Sequence, residues 1–113
     1  MNFQHKDLVD GRWFKLSLIE QMANIGSEVI RTINWKNKNN PKYANLAFDR
    51  ALELFDLTIL DPKNKKRLKE VCRAREFFAD FFFGDNQYNF TDESWEKYFY
   101  AFNYAARNRP KLA

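Results

Sequence analysis

The chain has a single histidine, His5, among 113 residues. A ferritin-like di-iron centre needs two Glu-x-x-His pairs on bundle helices, and a Ser-His or Cys-His nucleophile needs a positioned base. The composition therefore argues against a metal centre and against nucleophilic catalysis. Cysteine is equally scarce. Cys72 alone forms no internal disulfide and no zinc site, and it reads as a small core residue. Glycine and proline number three each. Three isolated glycines build neither G-x-x-x-x-G-K nor G-x-G-x-x-G, and so few turn residues disfavour a many-stranded sheet. No apolar run reaches the ~18–20 residues of a membrane span, and the first residues lack the layout of a signal peptide. The expectation is a cytoplasmic, non-enzymatic protein without metal, cofactor or membrane.

What the chain does have is helical periodicity and many rings: twelve Phe, five Tyr and three Trp. Phe14, Leu18, Met22, Ile25, Val29 and Ile33 recur at three- and four-residue steps, one stripe of a helix over about 12–35. Asp10 is its expected cap. Gly26 either weakens that helix or marks the close approach of another. Asn40 and Pro41 open a second helix over 41–60, with Ala44, Phe48, Leu52, Phe55 and Ile59 in register. Asp61-Pro62 ends it and caps a third over 62–83, closed by Gly84 in a left-handed conformation. Thr91 caps a fourth over 92–108, with Asp92 and Glu93 in its first turn. Short loops between such helices predict an all-α, antiparallel up-and-down four-helix bundle, one domain over residues 1–113.

Charge placement is the feature that stability does not explain. From Lys63 to Arg75 the chain reads KNKKRLKEVCRAR, seven bases against one acid. Lys63, Lys65, Lys66 and Arg67 fall at the expected start of the third helix, where each cation opposes the dipole by about 0.3–1 kcal/mol. Lys69 follows within a turn. In an up-down bundle the same end collects Arg12 and Lys15 from the first helix, and Arg107, Arg109 and Lys111 from the fourth. With a net charge of +4, such an end is the footprint of a phosphate-backbone binder. No base-reading motif is present, so RNA or DNA would be bound without sequence specificity. The alternatives are a solvated lysine run, or an adaptor that docks an acidic protein partner. Acids and bases elsewhere on the helices read as ion pairs, Arg50 with Glu53 and Arg73 with Glu76 among them.

The stretches LSLIEQMANIGSEVIRTINWKNKNN, RALELFDLTILDP, REFFADFFFGDNQY and TDESWEKYFYAFNYAAR resemble a family of short bacterial proteins without assigned function. In length and helix order the chain is also similar to the four-helix-bundle proteins encoded in intervening sequences of bacterial 23S ribosomal RNA genes. The accessory proteins of diversity-generating retroelements share that likeness. The resemblance implies a basic, oligomeric bundle that binds nucleic acid and assists another protein, and it brings no catalytic residues. Trp13, Trp35, Tyr43, Tyr100 and Tyr104 exceed what the core stripes need. Surplus aromatics commonly anchor interfaces, so they are the expected contacts of a homo-oligomer.

Overall fold

Ser17 begins the first long helix, in a computed structural model that describes residues 11–108. Helix α1 (Leu18–Asn37) is opened by a capping box. The Glu20 amide donates to Ser17 Oγ at 3.2 Å, and the Ser17 amide donates to Glu20 Oε1 at 3.1 Å. This corrects the expected start at Arg12. Leu16 is extended, at φ −81° and ψ 147°, so no continuous helix runs through it. Trp13–Lys15 forms a separate 3₁₀ turn ahead of it. The expected cap, Asp10, lies outside the described residues.

Helix α2 (Pro41–Leu60) starts as its sequence predicts, with the Tyr43 amide donating to Asn40 Oδ1 at 3.2 Å. Asp61 then caps Pro62–Arg67, accepting from the Lys63 amide at 3.1 Å. That segment is a 3₁₀ helix rather than the first turns of a long α-helix. Arg67, at φ −115° and ψ 11°, separates it from α3 (Leu68–Phe83). The dipole penalty expected at this point is thereby reduced, because the cations precede α3 while Glu70 occupies its first turn. Helix α4 (Asp92–Arg107) carries a capping box between Thr91 and Ser94.

Gly84 has φ −94°, not the left-handed value expected of it. A side chain is disfavoured there sterically, since a Cβ would lie 2.9 Å from the backbone carbonyl of Asp80. The left-handed positions belong instead to Asn39, Asn86 and Asn89, with φ of 57°, 50° and 56°. Asn86 also closes the last loop by donating to Phe90 O at 2.8 Å and accepting from Phe90 N at 3.0 Å.

Among the described residues the chain is all-helical, with four α-helices and no strand. Its Cα radius of gyration is 14.1 Å, close to the ~13 Å of a compact chain this long. Ile25, Ala47, Ala51, Phe55, Phe78 and Phe99 are fully buried. At one end of α1, Trp35 lies 4.9 Å from Tyr43. At the other, Trp13 Nε1 donates to Thr58 Oγ1 at 3.0 Å. Asn37 Nδ2 reaches Asp92 Oδ2 at 3.0 Å, joining the end of α1 to the start of α4. Phe48 stacks on Phe82 at 4.6 Å, and Arg75 Nε donates to Asp56 Oδ1 at 2.8 Å along α2 and α3.

Two expected roles change here. Cys72 is exposed rather than in the core, because α3 buries the stripe Val71, Ala74, Phe78 and Phe81 and the next position turns away. Trp13 is 2% exposed, so it belongs to the core and not to an interface between copies.

Gly26 marks the close approach that its position suggested. A Cβ there would lie 2.8 Å from Phe99 Cβ, Cγ and Cδ1. Gly26→Ala gains about 1 kcal/mol of helix propensity but meets an overpacking cost of about 1–3 kcal/mol. A net loss of stability is expected in urea unfolding, and Phe99→Leu in the same chain should relieve part of it.

A buried polar knot ties the segment before α1 to the end of α2. Gln21 Nε2 donates to Trp13 O at 3.1 Å and to Asp61 Oδ2 at 2.9 Å. Asn64 Nδ2 donates to Gln21 Oε1 at 2.8 Å and to Thr58 O at 3.0 Å. Lys63 Nζ pairs with Asp61 Oδ2 and donates to Phe14 O at 3.1 Å. Burial pushes the Asp61 carboxyl up, but hydrogen bonds from Lys63 and Gln21, with the Lys63 charge, outweigh it and hold the group below its usual 3.8. A carboxyl with a depressed native pKa stabilises the fold fully above its unfolded pKa, and this is lost as pH falls through the native value. Acid unfolding should therefore steepen below about pH 4. Asp61→Asn should flatten that limb in a pH series of melting curves.

Candidate nucleic-acid interface

The basic segment does not act as one block. Lys63 is held by Asp61 and the Phe14 carbonyl, which makes it part of the polar knot. Its bond to Phe14 does bring the Arg12–Lys15 turn beside the start of the 3₁₀ segment. Arg67 pairs with Glu70, with its Nη2 2.6 Å and its Nε 3.0 Å from Glu70 Oε2. Lys65, Lys66, Lys69 and Arg73 are exposed, and no carboxylate of the described residues lies within 4.0 Å of them.

The expected pair between Arg73 and Glu76 is thus not formed. Two acids elsewhere are engaged by bases. Glu28 holds Arg31 at 2.7 Å and stands 3.8 Å from Arg50, while Asp56 takes Arg75. Arg12, Lys15 and Arg107 are exposed, and no hydrogen bond or ion pair among the described residues ties Arg107 to the segment. Arg109 and Lys111 lie outside the described residues.

Four of these bases surround one cavity of about 480 Å³ between the start of α3 and the face of α4. Lys66, Arg67, Lys69 and Arg73 line it with the single carboxylate of Glu70. The rest of its wall is apolar and largely aromatic, from Phe77, Phe90, Trp95 and Tyr98. Phe90 stacks on Trp95 at 4.6 Å and 21°. Tyr98 Oη donates to Glu70 Oε1 at 3.3 Å, so Arg67, Glu70 and Tyr98 form a chain along the wall. Burial pushes the Tyr98 hydroxyl up to about 12, with the Glu70 charge and hydrogen bond adding to the effect.

Arg73 and these four rings were not singled out as site residues from the sequence. The signal was present on α3, where Lys69, Arg73 and Phe77 follow at steps of four, with Lys66 just ahead of the helix. That is one helical stripe turning from basic to aromatic. The α4 rings were concealed because Trp95 and Tyr98 also fit its core face.

Of the aromatics expected at an interface, Tyr43, Tyr100 and Tyr104 are exposed at 46%, 65% and 58%. Tyr100 and Tyr104 lie 6.2 Å apart on α4. Trp35 is half-buried against Tyr43. No helix of the described residues is long and apolar enough to cross a membrane. Comparisons with family models, with curated proteins and with solved structures found no match.

Proposed function

We propose that this chain is a non-enzymatic accessory module that binds nucleic-acid backbone through the basic segment from Lys65 to Arg73, in an assembly with itself or another protein. One observation carries the reading. Lys65, Lys66, Lys69 and Arg73 project without acidic partners from neighbouring turns, while Arg31, Arg50 and Arg75 elsewhere on the helices are matched by Glu28 and Asp56. Clustered free cations attract phosphates by counterion release, independent of sequence.

An antiparallel up-and-down bundle is the topology we infer. The contacts of Trp35 with Tyr43, Trp13 with Thr58, and Asn37 with Asp92 support it, as does that of Arg75 with Asp56. Such an order carries Arg107 toward the end that bears Arg12 and Lys15. Exposed Tyr100 and Tyr104 support self-association, and a cytoplasmic setting is part of the same reading. So is kinship with the intervening-sequence and retroelement accessory proteins, which rests on length, helix order and a few positions around Gln21 to Glu28.

Anisotropy titrations of labelled RNA and DNA test the proposal. Binding is expected near 50 mM salt, with log K falling linearly against log salt and most affinity gone by about 200 mM. No binding of either polymer at the lower salt would discard nucleic acid in favour of the acidic-partner adaptor.

A further inference from the structure

Free cations account for the attraction to phosphate but not for the cavity beneath them. A duplex binder by charge alone needs a basic surface, and its bases stay stacked inside the helix. Here the bases ring a recess of about 480 Å³, within the ~300–1,000 Å³ of small-molecule sites. Its wall is built from π faces. Phe77 lies 5.3 Å from Phe90, and Phe90 lies 4.6 Å from Trp95 in a near-parallel stack.

Trp95 supplies a second observation. It is 1% exposed, yet its indole N–H has no acceptor among the described residues. Buried donors are rarely left unpaired, and this one belongs to a residue of the cavity wall. The opposite wall offers the Glu70 carboxylate, already engaged by Arg67 and Tyr98, as an acceptor for amino groups.

Planar rings attached to phosphates are what this combination selects. Resting on the backbone-binding reading above, we propose that the ligand is a single-stranded nucleic acid that inserts one unstacked base into this cavity, while Lys66, Lys69 and Arg73 hold the flanking phosphates. Aromatic platforms under basic rims recognise single strands without sequence preference, because every base has a π face.

The test uses the full chain and strands of about twelve nucleotides. Oligouridylate and oligothymidylate are compared with an abasic oligomer of equal phosphate number. Base-bearing strands are expected to bind about tenfold tighter at equal salt and to quench tryptophan emission, which the abasic strand leaves unchanged. Equal affinity and equal emission for all three would overturn base insertion while leaving backbone binding intact. Absence of binding by every strand would remove both. Phe77→Leu combined with Phe90→Leu, checked for helicity, should lower the base-bearing strands to the abasic level; retention of the tenfold preference in a folded double variant would place the base elsewhere and sink the proposal.

Discussion

Lys65→Glu, Lys66→Glu and Lys69→Glu in one chain are expected to weaken nucleic-acid binding roughly a hundredfold near 50 mM salt, and to lower the salt slope by about three. All three residues are exposed and lack carboxylate partners among the described residues, so their replacement breaks no contact that holds the fold. Lys69 lies in the first turn of α3, where an acid suits the dipole better than a cation, and the melting temperature should hold or rise. Binding and stability would then move independently. A matched control reverses Lys36, Lys38 and Lys42, where Lys36 sits 4.7 Å over Phe81 and Lys38 5.2 Å over Trp35. That variant has the same net charge and should bind almost as well as the parent chain. Equal losses in the two triples would reduce the effect to overall charge and end the case for a localised site.

Phe78→Ala should be the most damaging single change to the fold. Phe78 is fully buried and lies 5.2 Å from Phe48, 6.4 Å from Phe55 and 5.6 Å from Trp95. One ring thus joins α2, α3 and α4. Truncating a buried phenylalanine costs about 3–5 kcal/mol, against a total of about 5–15 kcal/mol for an ordinary domain. Urea midpoints should fall accordingly. Phe78→Leu keeps most of the volume and should cost clearly less. A near-neutral alanine variant would mean that α3 is not packed as described.

The helices were legible because their signals are local. Asn40-Pro41, Asp61-Pro62 and Thr91 cap where their chemistry predicts, and Met22, Ile25, Val29 and Ile33 form the stripe that is buried. The start of the first helix was misplaced by six residues because apolar Trp13 and Phe14 continue the period across a break. Ser17 and Glu20 fit the capping-box spacing, but a periodic pattern does not register that Leu16 is extended. Trp13 was assigned outward for lack of a place on any stripe. Its burial depends on Thr58, 45 residues away in sequence, a relation invisible to local patterning.

The candidate site divides the same way. Its basic half lies in one short run and could be read directly. Its aromatic half comes from α3, the last loop and α4, and only tertiary packing brings Phe90, Trp95 and Tyr98 to Lys66 and Arg73. Which cations are free was partly legible, since Lys63 and Arg67 pair with Asp61 and Glu70 two and three residues away, and only the bond from Lys63 to Phe14 depends on the tertiary fold.

The asparagines at left-handed turns have an effect that lies in the denatured ensemble. Asn39, Asn86 and Asn89 adopt φ values that glycine would reach with less local cost. A glycine at each place would also enlarge the conformational space of the unfolded chain, and folding would surrender that added freedom. Asparagine tolerates the backbone and narrows the disordered state, and at Asn86 its amide makes bonds a glycine has no atoms to form. The scarcity of glycine is thus a way for the loops to restrict the unfolded polymer, raising stability from the side of the equilibrium that no native contact records.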